Sequence, residues 1–339
     1  MSSRKKWTIA LSAVLLAGAA LALVLWRLSA DSATALLRVL PPQADLYALV
    51  DFVSLQRNPA VRRFLADPPE LAMAQDYRGF IESSGFRYQN DLRQLALARV
   101  GSNYVGAARI AVDRSRMLQF LETERTETSE GTEGTESTEG TERTEKTEVL
   151  GNTVFTFGRV RPFRLALPQP DLAVFTIGED NSLIEQALAR LADTPNGDSA
   201  ATDLAAAGEL SRLSQGNALA LVMRTERMFN QGSVEPEAGT FRFGGPLLRG
   251  SKAVYITVES RLTQLDFQVE NLCEDDAAAQ RSARMIQSLL VLLRAAPLED
   301  EDPSQGKLAV LLQDIAVQQV SDSVLMQWQW DAETFRRLE

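Results

Sequence analysis

The chain has 339 residues, no histidine, one cysteine and a formal net charge of −10. The missing imidazole removes His-ligated metal centres and every dyad or triad that uses histidine as base, and a single cysteine removes an intrachain disulfide framework. A hydrophobic fraction of 45% is enough to build a core, which excludes wholesale disorder.

Residues 1–6 read as a short cytoplasmic tail. The first expected element is Trp7–Trp26, WTIALSAVLLAGAALALVLW, twenty residues without a charge. As a helix this run spans about 30 Å, the thickness of a bilayer's hydrocarbon core. Arg4, Lys5 and Lys6 precede it, and acids follow from Asp31. The positive-inside rule therefore keeps the N-terminus in the cytoplasm and exports the rest. Trp7 and Trp26 stand where an aromatic belt would hold them. The reading is an uncleaved single-pass signal anchor in the cytoplasmic membrane. The alternative is a cleaved signal peptide, since small-x-small patterns occur at Ala17-Gly18-Ala19 and Ala20-Leu21-Ala22. Cys273 is the only cysteine, so no lipobox exists.

Leu46–Val53 reads as a strand introduced by Pro41-Pro42, followed by a helical stretch containing Pro69 and ending at Phe80 and Ile81. Leu95–Val112, turning at Gly101-Ser102-Asn103, predicts a hairpin, and Asp113 then caps an amphipathic helix through Leu121. Glu122–Glu148 is a Thr-Glu triplet repeat with ten glutamates against Arg125, Arg143 and Lys146. It supplies −7 of the −10, so the acidity belongs mostly to one insertion. A period of three matches neither helix nor strand, and no large apolar residue is present, so a solvated, extended, disordered loop is expected. Strands follow at Thr153–Phe157 and Leu172–Ile177, then a helix over Ser182–Ala192.

The turn-rich segment 193–201 predicts a boundary between a first module, 31–195, and a second, 200–339. In the second, Ala218–Met223, Ala253–Glu259 and Leu262–Leu272 read as strands. Leu265, Phe267 and Val269 alternate with Gln264, Asp266, Gln268 and Glu270, which predicts an antiparallel sheet with one wet face. Ala277–Leu293 predicts a helix opened by three acids, Val317–Trp330 a hairpin, and Asp331 the cap of a closing helix with Phe335 and Leu338. Asp113 and Asp331 occupy matching places ahead of similar helices, so the two modules read as related. The expected class is α+β: antiparallel sheets with helices on one face, behind one N-terminal transmembrane helix.

Pro41-Pro42-x-Ala44-Asp45, Leu49-Val50-Asp51 and the closing Asp331-Ala332-Glu333-x-Phe335, set behind the apolar anchor, are together a recognisable pattern. In these the chain resembles an uncharacterised class of bacterial membrane-anchored proteins of unknown function. The resemblance implies an exported body and brings no functional residues with it; the triplet repeat departs from it.

Candidate chemistry is sparse. Gly245–Lys252 has Ser before Lys and precedes a strand, so it reads as a turn and not a phosphate loop. Cys273 is flanked by Glu274, Asp275 and Asp276, which disfavour a thiolate. The acidic segment 298–303 lacks the alternating ligand spacing of a calcium loop. Trp328 and Trp330 share a strand face and form a candidate partner surface. No metal or cofactor is expected, and the acidic balance disfavours nucleic acid. The sequence therefore predicts a non-enzymatic binding or scaffold module that meets the lipid bilayer through residues 7–26 and has an envelope protein as partner. The alternative is a carboxylate-dependent extracytoplasmic hydrolase.

Overall fold

The computed structural model describes residues 32–66, 84–127, 145–158, 160–192, 198–214, 216–226, 248–295 and 314–338. The anchor residues Trp7, Trp26, Arg4, Lys5 and Lys6 lie outside them, as do the stretch around Pro69, the middle of the triplet repeat, residues 193–197 of the expected boundary 193–201 and the acidic segment 298–303. No described helix is long and apolar enough to cross a membrane.

The fold is α+β, built on one antiparallel sheet. Its strands in chain order are β1 (Leu46–Asp51), β2 (Leu92–Val100), β3 (Asn103–Ile110), β4 (Glu145–Val149), β5 (Asn152–Phe157), β6 (Phe163–Gln169), β7 (Leu172–Ile177), β8 (Leu219–Arg224), β9 (Ser251–Ser260), β10 (Gln264–Cys273), β11 (Ala316–Val320) and β12 (Ser323–Asp331). Across the sheet they run β11-β12-β10-β9-β8-β1-β2-β3-β7-β6-β5-β4. β1 and β8 pair at the centre, with Leu49 opposite Ala220. From that seam the order repeats outward: β1-β2-β3-β7-β6 on one side, β8-β9-β10-β12-β11 on the other.

The helices lie on both faces and not on one. The reason is in the central strands, which are apolar on both sides. Ala107 and Val174 point to one face, where they pack with Leu183, Ile184 and Leu188 of helix Ser182–Ala192 and with Leu36, Leu37 and Leu40 of the segment around helix 32–39. Their neighbours Ala108 and Ala173 point to the other, against Met117 and Leu121 of helix Arg114–Glu127. A strand buried on both faces needs cover on both. Each fully buried leucine of the first cluster contributes about 1.5–3 kcal/mol of burial.

Several expected boundaries shift for local reasons. The first strand stops at Asp51 because that carboxylate accepts from the Ser54 backbone amide at 3.0 Å and starts helix Phe52–Leu55. The repeat is structured at both ends: the helix continues through Glu127, and β4 begins at Glu145. Lys146 pairs with Glu122 at 2.9 Å, joining the two ends. The expected match of Asp113 with Asp331 gives way to another. By sheet position Asp113, after β3, corresponds to Asp275, after β10. Each caps a helix: Asp113 accepts from Ser115 N at 2.9 Å, and Asp275 from Ala278 N at 2.6 Å.

Candidate functional site

Two polar constructions stand out on the same face of the sheet. The first is a buried clasp across the central seam. Tyr47 on β1 donates to Asp203 Oδ2 at 3.0 Å, and its oxygen accepts from Ala44 N at 3.0 Å. Arg224, at the end of β8, bridges Asp203 at 2.6 Å and Glu209 at 2.7 Å. Tyr255 on β9 donates to the other Glu209 oxygen at 2.9 Å. Arg212 lies 4.3 Å from the centroid of the Tyr255 ring and pairs with Glu270 on β10 at 2.5 Å. Asp203 comes from helix Ala200–Ala206, Glu209 from the turn that follows it and Arg212 from helix Leu210–Ser214. Ser199 opens the first with a capping box to Thr202.

Burial raises the pKa of both phenols, and the adjacent carboxylates raise it further, so both stay protonated. Burial also penalises the Asp203 carboxylate, yet Arg224, Tyr47 and the Gln43 amide outweigh it and hold its pKa below the usual value. The Arg224 guanidinium is likewise held charged: burial opposes it, and Glu209 and Asp203 prevail. With its fork closed on two acids, the clasp is a joint rather than a reactive centre.

The second construction is an open groove of about 650 Å³ over the ends of β9, β10 and β12 nearest the β9–β10 turn. Thr257, Glu259, Asp266, Gln268, Gln327 and Gln329 share this face by register. Gln327 donates to Gln268 at 3.2 Å, and Gln264 to Asp266 at 2.8 Å. Arg261 closes one end, 2.9 Å from Asp266 and 3.3 Å from Glu259. Asp331, also in the wall, is held below its usual pKa by hydrogen bonds from Thr334 and backbone amides, although slight desolvation opposes them. The groove is the wet face that the alternation of β10 predicted.

Trp328 and Trp330 lie on the opposite face, half-buried. Phe267 stacks on Trp328 with centroids 5.0 Å apart and planes 3° apart, and meets Trp330 at 4.4 Å. Phe335 of helix Ala332–Leu338 meets Trp330 edge-on at 6.0 Å. Trp330 thus packs with Val61, Val258 and Leu265, while Trp328 lies outboard of that cluster. Cys273 is buried, and burial together with Asp322 raises its thiol pKa, the opposite of an activated nucleophile. Among the described residues, no group of three or more acidic or cysteine side chains is placed to hold a metal ion.

The sequence showed the groove's face but not the clasp. Its members are spread from Tyr47 to Glu270, and the only local signal is an Arg that ends an apolar strand.

The fold and groove define a class: an α+β protein with one twelve-stranded antiparallel sheet and a polar concave face. Neither a protein-family model nor a curated protein matches the sequence. Three solved crystal forms of TP0453 are similar to it. Form III has a TM-score of 0.49 at 12% identity, covering 89% of this chain and 96% of that chain. Form IV gives 0.45 at 12% identity over 88% and 93%, and form I gives 0.41 at 11% identity over 89% and 95%.

Proposed function

We propose that the chain is a single-pass, membrane-anchored extracytoplasmic protein whose folded body is a non-enzymatic binding or scaffold module of the cell envelope. The uncharged run 7–26 behind Arg4, Lys5 and Lys6 supports the anchor and its orientation. The observation that carries binding is the groove: amides, carboxylates and hydroxyls of the described residues line one face of the sheet, the arrangement that orients a polar ligand or partner segment. Trp328, outboard of the apolar cluster that takes up Trp330, offers a second, aromatic contact on the reverse face.

Two experiments test this. A C-terminal reporter fusion reads orientation, and reporter activity in the cytoplasm refutes it. Cross-linking in intact membranes compares the native chain with Gln268→Lys/Gln327→Lys, which fills the groove with charge. Loss of a specific cross-linked product supports the reading; an unchanged set of products removes the groove from it.

One observation favours a carboxylate-dependent hydrolase as a second reading, namely that Glu259, Asp266 and Asp331 meet in one groove. Such a mechanism needs one carboxyl kept protonated. Asp331 is shifted the wrong way for that role. Turnover of a glycan panel that disappears in Asp266→Asn and Glu259→Gln would establish the hydrolase.

A further inference from the structure

The side chains of the groove fall into rows, because residues paired across antiparallel strands project on the same face. Thr257 of β9 stands opposite Gln268 of β10, and Gln268 opposite Gln327 of β12. Glu259, Asp266 and Gln329 form the next row toward the β9–β10 turn, and Gln264 and Asp331 the third. Neighbours within a row lie about 5 Å apart, and successive rows about 7 Å apart along the strands. A neutral row of one hydroxyl and two amides thus borders a row with two carboxylates. By register the side chains of Phe267 and Trp328 project to the reverse face, where they stack. The floor offers amides and carboxylates rather than rings.

Charge in the groove is unbalanced. Glu259, Asp266, Asp314 and Asp331 line it against a single cation, Arg261, so four carboxylates and one guanidinium leave a net −3. Arg261 is engaged with Asp266 and Glu259. Among the described residues, no arginine or lysine pairs with Asp314 or Asp331. The cations nearest the two ends are held elsewhere: Arg212, beyond the neutral row, by Glu270, and Arg336 of the closing helix by Glu333.

We propose that the groove takes an extended segment of a partner protein that carries lysine or arginine. This rests on the reading of the groove as a binding face and names the chemistry of what binds there. Glutamine side chains both donate and accept, so they match the alternating N–H and C=O groups of a peptide backbone laid over the neutral row. A basic side chain directed from that row toward the β9–β10 turn meets the carboxylates. An acidic segment in the same place would face like charges, which gives selectivity as well as attraction.

The test uses the full chain in mild detergent and two fluorescein-labelled heptapeptides, one alternating alanine with lysine and the other alanine with glutamate, read by fluorescence anisotropy. The lysine peptide should bind about tenfold more tightly than the glutamate peptide and lose affinity as salt rises. Glu259→Gln/Asp314→Asn/Asp331→Ser should weaken the lysine peptide by about tenfold; serine keeps a helix-capping oxygen at position 331. Asp314→Asn alone, at an exposed turn residue, should weaken it by about two- to threefold without altering the fold. Equal affinity for the two peptides, or lysine-peptide binding unchanged in both variants, overturns the proposal. Cross-linking in intact membranes separates it from the groove reading. A product lost in Gln268→Lys/Gln327→Lys and in the carboxylate triple variant supports both. A product lost in the first but kept in the second retains the groove and refutes the basic segment. Products unchanged in both variants refute the groove and the segment together.

Discussion

Arg224→Met tests whether the clasp is the joint between the halves of the sheet. The side chain is 11% exposed and lies between carboxylates whose side chains are 18% and 10% exposed. Methionine keeps much of the volume and removes the charge, so Asp203 and Glu209 face each other without a counterion. Removing one partner of a buried ion pair costs about 3–5 kcal/mol. At roughly 2.1 cal/mol/K of unfolding entropy per residue over about 300 residues, that is a fall in melting temperature of roughly 5–8 °C. The companion variant Arg224→Met/Asp203→Asn/Glu209→Gln removes the stranded charges and should recover a good part of the loss. The assay is thermal and urea unfolding of the full chain in mild detergent, followed by tryptophan fluorescence. A loss below about 1 kcal/mol, or a triple variant no more stable than the single, would refute a buried, interdependent network and reduce the clasp to a surface pair.

The pH dependence carries a definite sign. Tyr47 and Tyr255 have phenols raised above their ordinary value of 10.0. Above that pH the unfolded chain releases protons that the fold retains, so stability should fall as pH rises, and Tyr255→Phe should flatten that decline. Asp203, held below its ordinary 3.8, contributes stability above that value and loses it as pH falls through the folded-state pKa; Asp203→Asn should blunt the acid limb of a urea-stability profile. A Cβ on Gly106 would run into the Phe175 ring, so Gly106→Ala should cost about 1–3 kcal/mol, with partial rescue by Phe175→Leu; equal stability of Gly106→Ala and the native chain would show that the ring moves aside freely. Ser199→Ala removes the capping box next to the clasp and should cost about 1 kcal/mol in the same unfolding assay.

What the sequence disclosed follows from how locally each feature is encoded. The alternation of Leu265, Phe267 and Val269 with Gln264, Asp266 and Gln268 identified both a strand and its wet face, and the groove is built on that face. Helix Ser182–Ala192 and strand β7 fall where periodicity put them. β6 was not legible. Its Arg164, the second residue of the strand, is buried, donating to the Gly178 carbonyl at 2.8 Å and to Asn181, and Pro168 lies where the ladder slips between Ala166 and Gln169. Each breaks the alternation a strand is recognised by. Helix 32–39 was missed although Asp31 and Ser32 are N-cap residue types, because its apolar residues follow the anchor by only a few positions and read with it.

The mismatch over the repeat explains more than a boundary error. Asp113 and Asp331 look alike because both follow a strand and cap a helix, a pairing any antiparallel sheet produces. Asp331 accepts from Thr334 N at 2.8 Å, so its capping role is real while its proposed counterpart is not. The correspondence that the sheet order supports, β1-β2-β3 with β8-β9-β10, has β1 and β8 as its shared seam. Hydrophobic pairing along that seam specifies little, because Leu49 beside Ala220 and Tyr47 beside Val222 would tolerate many partners. The clasp supplies what the apolar pairs lack. Tyr47 comes from one half and Arg224, Glu209 and Tyr255 from the other, and a register slip would strand a buried charge. The clasp therefore fixes one register between the two halves of the sheet that meet at β1 and β8. Hydrogen exchange decides this. If the amides of β1 and β8 lose protection together in Arg224→Met while β5–β7 and β10–β12 stay protected, the clasp holds the seam; uniform loss across the sheet would refute a separable junction.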